Sequence, residues 1–175
     1  MRILTQSALF VAAVALAQAT TLQRLSTDDM IRQSTAIVRA TVTGSYTAQR
    51  GSDLYTYYQF TVTETLKAGP AAITTVAVPG GMLNGLRQFA AGAPALNKGQ
   101  DYVIFLWTGK SGMTQVIGLS QGLFSVMTND SGDTILVRGP IDSLMLDRAG
   151  RVVGDQGISM KLSDLKTEIQ KVLGQ

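Results

Sequence analysis

The chain has no cysteine and no histidine. Without cysteine there is no disulfide staple, no thiolate nucleophile and no lipid anchor carried on an N-terminal thiol. Without histidine, Ser-His-Asp and Cys-His catalysis are excluded, and so are histidine-containing zinc sites and imidazole-held haem or copper. A concentrated basic stripe is missing too. The formal charge is only +3, and lysine and arginine fall singly along the chain, which excludes nucleic acid as a partner. From what remains, no cofactor and no metal is expected.

Long hydrophobic runs are also lacking. Leu9–Leu16 (LFVAAVAL) is apolar but too short to span a bilayer. Preceded by Arg2 and followed by Ala17-Gln18-Ala19, it has the form of a signal peptide over residues 1–19, cleaved after Ala19, with Ala17 as the second choice. A buried N-terminal helix or an uncleaved anchor is the other reading. Cleavage leaves residues 20–175 as a single exported domain, periplasmic or extracellular, with no transmembrane segment.

The first folded signal is "LQRLSTDDMIRQSTAIVRATV". Ser26 with Asp29 has capping-box spacing, and Asp28 and Asp29 sit where a helix dipole favours negative charge, predicting a short helix over Thr27–Ser34. Capping accounts for both acids without a catalytic role. From Ala36 the period changes to two, giving a strand over Ala36–Gly44. A turn at Gly51-Ser52-Asp53 leads into "LYTYYQFTVTETLKA". In that second strand Tyr58, Phe60, Val62 and Leu66 share one face. Tyr55, Tyr57 and Gln59 share the other, either a solvated face of cross-strand pairs or a stacking surface.

"ITTVAVP" reads as a third strand. Asp101–Thr108 (DYVIFLWT) is apolar on both faces and must be a central strand buried from two sides. Met113–Met127 reads as a strand pair interrupted by Gly118 and Gly122, which mark a bulge or a barrel bend. Asn129–Asp133 is a turn, not a calcium loop, because no glutamate closes it. "TILVRG" is a further strand. Leu162, Leu165, Ile169, Val172 and Leu173 have helical spacing and close the domain with an amphipathic helix, for which Ser163 is the N-cap.

Between the third strand and the central one runs Gly80–Gly99, a glycine-rich stretch with apolar side chains. It lacks the Lys-Ser/Thr pair of a phosphate loop. It reads as a long connection, either folded back on the core or held out as a contact loop. In the second case Met82, Leu83, Leu86 and Phe89 meet a partner and Arg87 takes a polar or carboxylate group.

The phrases "STAIVRATV", "YYQFTVTETLKAG", "KGQDYVIFLW" and "VIGLSQGLFSV" follow an order that resembles netrin-like and tissue-inhibitor-of-metalloproteinase-like modules over Ala36–Val126. The resemblance implies a five-stranded Greek-key barrel of the OB type. The zinc-binding N-terminal cysteine and the disulfides of the inhibitors are absent, so that mode of protease inhibition is not carried over. The chain is also similar to uncharacterised exported bacterial proteins carrying "YTYY", "PGG" and "GLSQG", a class that implies no activity.

The expected architecture is therefore mainly β: an antiparallel, OB-like Greek-key barrel of roughly five to seven strands, with a short N-terminal helix and a C-terminal amphipathic helix. The expected function is a secreted, non-catalytic binding module that holds a protein or extracellular polymer through residues 80–99, with Tyr55 and Tyr57 as a second surface. Two alternatives stay open: a structural subunit of an extracellular assembly, hence a homo-oligomer, and a carboxylate-dependent hydrolase built on Glu64 or an Asp pair.

Overall fold

The computed structural model describes residues 21–69 and 72–174. The expected leader, residues 1–19, lies outside the described residues. In chain order the elements are β1 (Leu22–Gln23), α1 (Thr27–Gln33), β2 (Ala36–Arg50), β3 (Asp53–Lys67), β4 (Thr75–Pro79), β5 (Gly81–Leu83), β6 (Leu86–Gln88) and β7 (Asp101–Thr108). There follow β8 (Thr114–Val116), β9 (Leu123–Thr128), β10 (Thr134–Arg138), β11 (Met145–Leu146), β12 (Val152–Val153), β13 (Ile158–Lys161) and α2 (Leu162–Leu173). The main sheet is antiparallel in the order β13-β10-β9-β7-β2-β3-β4, with β8 added to β7. β5 and β6 form a separate hairpin, and β1-β11-β12 a small sheet in which β1 runs parallel to β11. Among the described residues, no helix is long and apolar enough to cross a membrane.

Strand β7 is apolar on both faces because each face meets a different core. Tyr102, Ile104 and Leu106 join Ala36, Val38, Ala40 and Val42 of β2, Phe60 of β3 and Val76 and Val78 of β4. Val103 and Phe105 point the other way, toward Met30 and Ile31 of α1 and Leu162, Leu165 and Ile169 of α2. The first core is made by the sheet curling on itself: β4 packs against β8, so Val116 joins Val76 and Val78. The second is made by laying both helices on the sheet.

The β2–β3 hairpin is longer than the alternation up to Gly44 indicates, because β2 continues to Arg50 and a two-residue turn, Gly51-Ser52, reverses the chain. Register shifts between Ile37/Val38, Arg39/Ala40 and Val42/Gly44 mark bulges. They explain a departure from strict alternation: Leu66 packs with the helix-side core, whereas Phe60, Tyr58 and Val62 pack with the other. Each inserted residue turns the following side chains to the opposite face.

The capping box of α1 is present in full, with Ser26 and Asp29 satisfying each other's backbone N–H. Its C-terminal end is held by Lys67, whose Nζ donates to the carbonyls of Ile31 at 2.7 Å and Ser34 at 2.5 Å. Burial pulls the Lys67 pKa below the ordinary lysine value. Helix α2 begins one residue before the expected cap: Lys161 takes the N-cap position with no side-chain hydrogen bond, and Ser163 lies inside the first turn. The apolar Leu162 docks in the core, and that burial sets the start of the helix.

The two helices bring carboxyls together, and burial with the neighbouring Asp28 raises the Glu168 pKa above its ordinary value of 4.5. A group that binds its proton more tightly when folded favours the fold in acid, and this contribution is lost as pH rises through the folded value. Glu168→Gln is therefore expected to stabilise the protein at neutral pH by roughly 0.2–0.5 kcal/mol. The gain should vanish when urea midpoints are measured at pH 4.

Candidate functional site

The glycine-rich stretch is not a bare connection. Asn84 and Gly85, at φ 50 and 78, form a two-residue turn with both residues in the left-handed region, and this turn joins β5 to β6 with Leu83 opposite Leu86 and Met82 opposite Arg87. The hairpin is absent from the sequence reading of this stretch as a connection, and the signal that could have found it is Asn84-Gly85, the strongest short-range one for such a turn.

The hairpin is fastened to the arm formed by β2 and β3. At Gly81 a side chain would begin 2.7 Å from Thr47 Cγ2 and 2.8 Å from Thr56 Oγ1, so only glycine lets β5 lie this close. The Gly80 N–H donates to Leu54 O at 2.8 Å, and Thr56 Oγ1 donates to Gly80 O at 2.9 Å. On β6, Gln88 Oε1 accepts the Leu54 N–H at 2.5 Å and Gln88 Nε2 donates to Asp53 Oδ1 at 3.3 Å. Both ends of the hairpin are thus tied to Leu54, near the tip of the arm.

What it holds out is apolar. Met82 is 68%, Leu86 61% and Phe89 81% exposed, while Leu83 is half-buried. Beneath lies an open cleft of about 410 Å³ whose lining includes Thr56, Tyr58, Val78, Met82, Arg87 and Phe89. Arg87 is exposed, and among the described residues no carboxylate pairs with it.

Tyr55 and Tyr57 stand elsewhere. Thr47 and Thr56 form one cross-strand pair, and Tyr46–Tyr57 and Ala48–Tyr55 are the pairs on either side of it. Side chains alternate across a sheet, so the tyrosines occupy the face of the arm opposite the hairpin. Tyr57 stacks on Tyr46 with centroids 5.2 Å apart at 12°, and Tyr55 tilts against Tyr57 at 6.4 Å. Tyr46 belongs to this strip and was not singled out from sequence. Its place follows from the short turn, since pairing Arg50 with Asp53 puts Tyr46 opposite Tyr57.

The acidic candidates are engaged in structural roles. Glu64 pairs with Lys166 at 2.5 Å. Asp29 caps α1 and pairs with Arg148, and its hydrogen bonds with Ser26 lower its pKa. A polar cleft of about 820 Å³ is lined by Arg24, Asp28, Asp29, Arg138, Arg148 and Asp155, among others. Its lining includes the buried ion pair Arg138–Asp155, joined at 2.5 and 3.0 Å. Among the described residues, no group of three or more acidic side chains could hold a metal ion.

No protein-family model, curated protein or solved structure matches this chain.

Proposed function

We propose that the chain is an exported, non-catalytic binding module that holds its partner through the β5–β6 hairpin and Phe89. The observation that carries this reading is a contrast within one element. The hairpin backbone is anchored at Gly80, Gly81 and Gln88, yet Met82, Leu86 and Phe89 stand in water. A stiff support for exposed apolar groups lowers the entropy lost on binding, and exposed apolar side chains held in this way mark contact sites. In this reading the leader directs the chain to the periplasm or the medium. The curled sheet closes as a small OB-like Greek-key barrel, a form supported by the packing of β4 on β8.

Leu86→Ser with Phe89→Ser is expected to shift the melting temperature by no more than about 2 °C, since both side chains are exposed. The same variant should lose the partner captured from the exported fraction by the unaltered protein. If capture persists, the Tyr46–Tyr55–Tyr57 strip becomes the binding surface. If instead a self-assembled form seen by light scattering dissolves in the variant, the hairpin is a subunit contact.

A further inference from the structure

We infer that the occupant of the hairpin cleft is an extended peptide segment of a partner protein that pairs an apolar side chain with an acidic one. This rests on the reading of the hairpin as the contact element and adds the chemistry of what it contacts. The first observation is charge. Arg87 is the one ionised group among the residues lining the cleft, and it has no carboxylate among the described residues. Arg39, Arg138, Arg148 and Arg151 have aspartate partners, and Arg32 and Arg50 donate to backbone carbonyls. What sets Arg87 apart is that the cleft beside it is otherwise uncharged, whereas the cleft lined by Arg24 and Arg32 also holds Asp28, Asp29, Asp147 and Asp155. A guanidinium presents a rigid fork suited to a carboxylate, and its aliphatic stem adds apolar surface.

The second observation is the company Arg87 keeps. Met82 is its cross-strand neighbour on the hairpin, and Tyr58, Val78, Pro79 and Phe89 complete an apolar floor and wall. A carboxylate on Arg87 thus sits beside a place for an aliphatic or aromatic side chain. The third is the hairpin's open flank. β6 pairs with β5 alone in a two-stranded sheet. In the ladder set by the Leu83–Leu86 pair next to the turn, Arg87 falls at the non-hydrogen-bonded position, so its N–H and C=O face outward. An extended segment laid along β6 can exchange main-chain hydrogen bonds at Arg87 while its side chains reach the cleft.

The test uses four blocked heptapeptides of threonine and valine in which two residues spaced i, i+2, and so on one face of an extended strand, are Phe and Glu, Phe and Gln, Phe and Lys, or Ala and Glu, written below as Phe-Glu, Phe-Gln, Phe-Lys and Ala-Glu. Each is titrated into the 15N-labelled protein. The expected result is that the Phe-Glu peptide shifts the amides of Arg87, Phe89 and Val78 and the Arg87 Nε–H. The Phe-Gln and Phe-Lys peptides should bind about fivefold more weakly or less, as the loss of one exposed ion pair allows. Arg87→Gln should abolish the preference for glutamate while leaving the other shifts in place.

Equal binding of Phe-Glu and Phe-Gln overturns the acidic assignment and leaves the hairpin as the contact. Equal binding of Phe-Glu and Ala-Glu overturns the apolar half. If no peptide moves these resonances, the peptide proposal fails, whereas the hairpin reading fails only if Leu86→Ser/Phe89→Ser also keeps its partner. Shifts produced by free 3-phenylpropionate as strongly as by the Phe-Glu peptide would assign the cleft to a small carboxylate and overturn the peptide.

Discussion

Replacing Phe105 with alanine is expected to cost about 3–5 kcal/mol of folding stability. Phe105 has no solvent exposure, lies at the centre of the helix-side core and packs its ring 5.6 Å from that of Phe124. The upper part of the range is expected because the surroundings cannot close over the space. On one side Gly122 lies so close that a Cβ there would meet Phe105 Cβ at 2.9 Å and Ile117 Cγ2 at 2.7 Å. That backbone is pinned by the Phe105 N–H donating to Gly122 O at 2.8 Å and the Ile117 N–H donating to Phe105 O at 2.9 Å. On the other side stand α1 and α2, whose buried residues already fill the layer. A fold of this kind is stable by only about 5–15 kcal/mol in all, so the variant should show a large fall in urea midpoint. A loss below about 1 kcal/mol would mean that the two helices do not form the second core. Phe105→Leu, which keeps most of the volume, should recover much of the loss.

Asp155→Ala is expected to cost a similar amount, about 3–5 kcal/mol, for an electrostatic reason. The Arg138 and Asp155 side chains are 8% and 4% exposed and joined by two hydrogen bonds, and Asp155 Oδ2 also accepts the Ile141 N–H at 2.9 Å. Arg138 Nε is buried without a partner, so this guanidinium depends on Asp155 for compensation. Removing the carboxylate leaves a buried positive charge and an unpaired backbone N–H. Replacing both residues together, Arg138→Met with Asp155→Leu, should be much less harmful than Asp155→Ala, since breaking one side of a buried pair costs more than removing both.

The same pair makes a pH prediction. Hydrogen bonding to Arg138 holds the Asp155 carboxyl below its ordinary value of 3.8. A depressed folded pKa gives stability that is present above the unfolded value and lost as pH falls through the folded one. Unaltered protein should therefore lose stability below about pH 4 more steeply than the Asp155→Ala variant. Parallel curves would show that Asp155 is not ionised against Arg138.

The parts of the fold that could be read in advance are those where local pattern and tertiary demand agree. DYVIFLWT is apolar at every interior position, and a central strand between two cores accommodates that from Tyr102 to Leu106, while Trp107, expected to be buried with them, is 45% exposed. Ser26 and Asp29 specify their helix start by bonding to each other, a contact that needs no distant residue. The failures have the opposite character. Ser163 has the chemistry of a cap, yet with Leu162 packed in the core the cap falls two residues earlier, at Lys161. Leu66 alternates with Phe60 in the sequence and leaves its face because bulges intervene, and a bulge is fixed by strand partners rather than by its own residues. At the site, exposure of Met82, Leu86 and Phe89 was one of two readings left open by composition. The structure divides the stretch between them: Gly81 and Gln88 tie the hairpin to the arm with Met82, Leu86 and Phe89 exposed, whereas Leu83 is half-buried and Leu96, further along, is buried in the core. The two candidate surfaces, the hairpin and the tyrosines, fall on opposite faces of the arm because Thr47 and Thr56 alternate with Tyr46 and Tyr57.

The buried Gln121 has a consequence for the order in which the molecule assembles. Its side chain accepts the Leu25 N–H and donates to Gln23 O, both at 2.9 Å, spanning sequence separations of 96 and 98 residues. Beside it β1 lies against β11, with Leu22 paired to Met145. Contacts this distant in sequence carry a large loop-closure cost and form after local ones. The β2–β3 hairpin can zip from its Gly51-Ser52 turn at once, whereas Leu22–Leu25 has no place to dock until the turn before β9 and the strand after β10 have emerged. Early in folding, then, the segment Leu22–Leu25 ahead of α1 is undocked, and its capture by Gln121 and β11 is a late step.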